Sequence, residues 1–151
     1  METIYSGIVV SKLLQHELLV KSVNTIAGGI VSTVSHITQN EHQINDCFKK
    51  LDLHAELETI TSFVNEIAEK EKFKESKTVQ RSLHNINEIL TLISEDLEKV
   101  KQLIEEHKAK YLSSMRSCDL SLYETQIIDK KQTLDKRFER LLNVTTVIGS
   151  V

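Results

Sequence analysis

From Val79 to Tyr111 the chain places Val79, Leu83, Ile86, Leu90, Ile93, Leu97, Val100, Ile104, His107 and Tyr111 in alternating steps of four and three residues. That spacing holds one stripe of side chains on a single face of an α-helix for more than four heptads, which is a coiled-coil seam. A strand cannot use it, because strand side chains alternate between faces with a period of two. Ile89, Leu92 and Leu103 broaden the stripe, so this helix is predicted to touch two neighbours, as an inner helix of a bundle does. A helix over residues 77–115 is roughly 58 Å long at 1.5 Å per residue.

The rest of the chain follows the same period. Leu13, Leu14, Val20, Val23, Ile26, Ala27, Ile30, Val31, Val34 and Ile37 recur at helical spacing, which predicts a first helix over roughly 7–39, with Ile44, Phe48 and Leu51 as an extension of the pattern. Asp52 is placed to cap a second helix over 53–73, carried by Leu53, Leu57, Ile60, Val64 and Ile67 and closed by the charged run 69–72. Ser121 with Glu124 three residues on has the sequence of a capping box, opening a fourth helix over 121–148. Proline is absent and there are four glycines, so the residues that usually interrupt helices are nearly missing. The fold predicted is all-α: an antiparallel four-helix bundle with long first and third helices, forming one domain over 1–151.

No catalytic constellation is legible. None of the six histidines has a glutamate three residues before it, as a di-iron bundle requires. No second histidine completes a zinc-protease motif after His16-Glu17, and His36 and His42 are six apart, on different faces. Most of the histidines therefore read as surface or boundary residues. Cys47 and Cys118 make neither a disulfide framework nor a CxxC site. Gly28-Gly29 lies within a helical pattern rather than in a phosphate-binding turn. The expectation is a protein with no enzyme activity, no cofactor and no metal. A net charge of −3 and few aromatics argue against nucleic acid as a partner. With no secretory signal pattern, the expected location is cytoplasmic, extended to a peripheral position at a membrane.

Two features stand above this background. Residues 22–40 contain no formally charged side chain over 19 positions, and Thr25, Gly28, Gly29, Ser32 and Thr33 form ridges that let another helix approach closely. Gly28 and Gly29 are therefore candidate interaction residues. So are Ile104, His107 and Tyr111, because a short second helix leaves the far end of the 77–115 seam uncovered. The second feature is a change of sign: residues 41–107 carry nine basic and fifteen acidic side chains, whereas 108–151 carry eight and five. Lys130, Lys131, Lys136, Arg137 and Arg140 make a candidate basic patch, suited to anionic lipid, to an acidic protein, or to the chain's own acidic middle helices.

The low-charge, glycine-containing first helix, the long third helix and a fourth helix reading Ile127-x-x-Lys130-x-x-x-Leu134-Asp135-x-Arg137-x-x-x-Leu141-Leu142 are similar to the four-helix domains at the N-termini of the mixed-lineage kinase-like proteins and of the fungal HeLo group. The resemblance implies a non-enzymatic module that self-associates and, in several members, binds or attacks membranes during cell death. The partner expected is protein, either a second copy or a partner helix, with anionic membrane as a further one. The competing reading is a scaffold or adaptor bundle that binds a partner helix without membrane contact.

Overall fold

The computed structural model describes residues 2–40, 44–111 and 119–150, with side chains for 15–39, 44–110 and 119–150. It is all-helical, and no strand occurs among the described residues. The elements are α1 (Glu2–Asn40), α2 (Asn45–Leu51), α3 (Leu53–Ala68), α4 (Glu71–Lys74), α5 (Lys77–Tyr111) and α6 (Ser121–Gly149).

Every apolar position of the α5 seam from Val79 to Ile104 is buried. The helix packs along α1 on one side and α6 on the other, with Ile89 and Leu103 of the widened stripe turned inward but Leu92 exposed. Cross-helix hydrogen bonds give the directions. Ser22 donates to Asn87 at 2.7 Å and His36 lies 3.6 Å from Glu105, so α1 and α5 run the same way. Arg137 donates to the Asn85 carbonyl at 2.7 Å while Lys130 pairs with Asp96, so α6 runs against α5. Ala27 on the α1 seam is buried. On its other flank α1 meets α3, where Asn24 donates to Asn65 at 2.8 Å. Phe63 of α3 closes against Phe138 of α6, edge to face at 5.8 Å.

Four local expectations change. Phe48 and Leu51 belong to a separate short helix, α2, with Ile44 at its N-cap, and Ile44 and Phe48 enter the core. Asp52, expected as a side-chain cap, instead adopts a left-handed conformation (φ 50°, ψ 41°) with no side-chain cap hydrogen bond, and its backbone N–H closes α2 onto the Phe48 carbonyl. The second helix does not run through to residue 73. Six residues beyond Ile67, a continuous helix would turn Phe73 well away from the seam; an extended Lys70 breaks the helix, and α4 returns Phe73 to the core. The capping box is not formed either. Leu120 holds the cap position, and Asp119 accepts hydrogen bonds from the Ser121 hydroxyl (2.7 Å) and backbone N–H (3.1 Å), which hold its carboxyl below the usual range. The predicted end of the third helix, beyond Tyr111, lies outside the described residues.

Candidate interaction surface

The inward and outward faces of α1 follow from its period. His16, Val20, Val23, Ala27, Ile30 and Ile37 form its buried seam. On the opposite side Leu18, Lys21, Thr25, Gly28, Ser32, Ser35 and Gln39 repeat at steps of three and four, and all are exposed. From Thr25 to Ser35 this outward stripe is small and uncharged. The exposed face of α5 is different, with His84, Glu88, Glu95, Glu98, Lys99 and Glu106 turned to solvent. A water-facing helix surface ordinarily carries charge, so the two faces contrast in kind.

Gly28 and Gly29 occupy this stripe, and a Cβ added at either would meet no atom within 4 Å. They do not serve packing inside the chain. Replacing Gly29 with Ala is expected to raise stability by about 0.5–1 kcal/mol, the helix-propensity gain at an unobstructed position, measurable as a shift of the urea midpoint. A loss of stability would place an unseen contact there.

The far end of the α5 seam is organised differently from expectation. Ile104 is only 4% exposed and belongs to the core. The reason is the parallel course of α1, which reaches Asn40 and brings His36 alongside Glu105, so the first helix covers what a short second helix could not. His107 is half-buried, and the Tyr111 side chain lies outside the described residues. The structure thus does not bring the glycines and the seam end into one patch: the glycines face away from α5.

The basic residues of α6 are also divided. Lys130 pairs with Asp96, Lys131 with Asp135 at 2.9 Å, and Arg137 with the Asn85 carbonyl and, at 3.5 Å, Glu88. Lys136 and Arg140 are exposed. Much of the positive charge is therefore turned onto α5 or held along α6 itself.

Two buried polar groups escape a reading of the sequence. Asp96 belongs to a charge run that reads as a solvated face, yet it is 5% exposed. Ser82, Ile89, Asp96 and Leu103 recur every seven residues, the row that widens the α5 seam, and that periodicity was the available signal. His16 is fully buried, in contrast to the surface or boundary position expected for a histidine here. Its imidazole is pushed down from its ordinary pKa by burial and by Lys74, with Glu17 opposing. Elsewhere, burial raises the Glu56 carboxyl against the pull of Lys131. Burial and Glu124 raise the Cys47 thiol, with Lys50 opposing; Cys118 lies outside the described residues.

The concave features are shallow. A groove of about 440 Å³ runs past Gln15, Gln80, Arg81 and His84, and an apolar one of about 300 Å³ past Val144, Val147 and Ile148. Residues Gln15–Gln39 of α1 are long and apolar enough, by length and composition, to cross a bilayer, a property that a soluble core helix can share. No family model, curated protein or solved structure matches this chain.

Proposed function

We propose that the long helices form an antiparallel four-helix bundle acting as a non-enzymatic interaction and self-association module, with the outward stripe of α1 as its contact surface. Asn24 of α1 meets Asn65 of α3 while Ile30 and Val34 lie beside Leu53 and Leu57, so α3 runs against α1, and the alternating directions of α1, α3, α5 and α6 support the bundle. The observation that carries the function is the stripe itself: small, uncharged positions at 25, 28, 32 and 35, exposed on a helix whose other face is fully engaged. Small residues allow a second helix to approach closely, and an isologous contact between two copies would pair the same stripe with itself. The similarity to HeLo and mixed-lineage kinase-like domains supports the same reading and adds a role in cell death or signalling.

The test is sedimentation equilibrium of the wild type beside Gly28→Arg and Gly29→Arg. The wild type is expected to associate as concentration rises, and each variant to stay folded by circular dichroism while shifting to monomer. A wild type that stays monomeric at high concentration overturns self-association and favours the adaptor reading, in which the stripe takes a separate partner helix.

Membrane engagement is a second reading, favoured by the length and low charge of residues 15–39. It predicts co-sedimentation with vesicles containing anionic lipid. Internal pairing of Lys130 and Arg137 leaves Lys136 and Arg140 as the exposed cations to test: substituting both with Gln is expected to weaken binding, at about 1 kcal/mol for each cation near the surface. Failure of the wild type to co-sediment removes this reading.

A further inference from the structure

Of the described histidines, His36, His54 and His84 are exposed and His107 is half-buried, whereas His16 is 0% exposed. Neither of its ring nitrogens has a hydrogen-bond partner among the described residues. Buried polar atoms are ordinarily bonded, and no described protein group bonds this imidazole. Above it lies a pocket of about 310 Å³, bounded by Ala68 at the end of α3, Lys74 of α4, and Glu17, Lys21 and Asn24 of α1. The charged groups around the pocket are thus two cations and one carboxylate, and Lys74 is partly engaged by Glu71 at 3.4 Å. From α5, Lys77 and Arg81 line the adjoining groove together with Glu75 and His84. A proton placed on His16 would create a buried cation with no acceptor, in a neighbourhood that already favours anions.

We propose that His16 is a proton-operated latch: neutral, it lets residues 16–27 of α1 seat on α3 and α4, and protonated, it unseats that stretch while the pairing of α5 with α6 holds. The latch is independent of what the exposed face of α1 binds. Its direction follows from linkage. A released histidine titrates near about 6.5, and burial beside Lys74 lowers the seated value. The seated state is therefore at full strength above about pH 6.5 and weakens as pH falls toward the seated pKa. In that window one proton is taken up on opening, so the opening equilibrium grows by about tenfold per pH unit. Glu56 acts oppositely, since its raised carboxyl takes up its proton more readily when folded; comparing His16 variants with the wild type cancels its contribution.

The experiment is an NMR titration of the histidine ring protons in the full chain between pH 7.5 and 4.5, with amide hydrogen exchange followed over residues 16–27. His16 is expected to titrate below the ordinary histidine value. Exchange in residues 16–27, corrected for its intrinsic pH dependence, should accelerate by about tenfold per pH unit below about 6.5, with the buried α5 and α6 amides unchanged. His16→Leu and His16→Gln should both abolish the acceleration, and His84→Gln should keep it. A His16 that titrates at or above the ordinary value overturns the latch, and this reading needs no variant to fold. Acceleration that persists in both His16 variants overturns it as well.

Discussion

Truncating Leu90 or Leu97 to alanine is expected to lower unfolding stability by about 2–5 kcal/mol in each case. Both are 0% exposed on the α5 seam, and α5 packs against α1 and α6, so neither side is free to collapse into the cavity. Against a total stability of roughly 5–15 kcal/mol for a domain of this kind, either change should move the urea midpoint visibly and both together should threaten folding. Lys99, two positions beyond Leu97 on the exposed face of the same helix, is the control, and Lys99→Ala should stay within about 0.5 kcal/mol. Equal tolerance at all three positions, read by circular dichroism in urea, would mean that the seam is not the buried face.

The second large effect concerns the ion pair between α5 and α6. The Asp96 side chain is 8% exposed and its partner Lys130 25% exposed. Removing one member of a buried pair leaves the other charged and uncompensated, so Lys130→Ala should destabilise by about 3 kcal/mol, at the low end for such a change because the lysine is partly solvated. Replacing both partners with apolar residues removes the stranded charge, and Asp96→Leu with Lys130→Met should recover most of the loss. The exposed pair His54–Glu58, 64% and 70% exposed, gives the comparison: Glu58→Ala should change stability by no more than about 1 kcal/mol. A double-mutant cycle measures the coupling directly. If Lys130→Ala is as mild as Glu58→Ala and the double variant brings no recovery, Asp96 is solvated rather than enclosed.

Much of the fold was legible because helical periodicity is a local property. The seam from Val79 to Val100, the α3 positions Leu53, Leu57, Ile60, Val64 and Ile67, and the α6 positions Ile127, Leu134, Phe138 and Leu141 are all buried as their spacing predicts, whereas Leu122 and Leu142, which share the helical pattern of 121–148, are exposed. Helix ends were less legible. Asp52 and Ser121 are residue types that commonly cap helices, but which donor a short polar side chain reaches depends on how the preceding segment arrives, and here Asp119 takes the Ser121 hydrogen bonds instead. The break at Lys70 likewise answers to the position of the core that Phe73 must reach.

For the candidate surface the division is sharper. The chain by itself determined that residues 22–40 form a helix side with no charge, because charge and helical period are both written in the residues. Which face of that helix is outward was decided only by packing: α5 and α3 take the side bearing Val23, Ala27 and Ile30, which leaves Gly28 and Gly29 in open space. Tertiary structure alone also buried Ile104, through a parallel α1 that no spacing within α5 can encode. It alone turned Lys130 and Arg137 inward, and it alone enclosed His16 without a partner. Periodicity specifies which residues share a face, whereas burial, and with it the electrostatic state of an imidazole or a carboxylate, depends on what a distant part of the chain lays against that face.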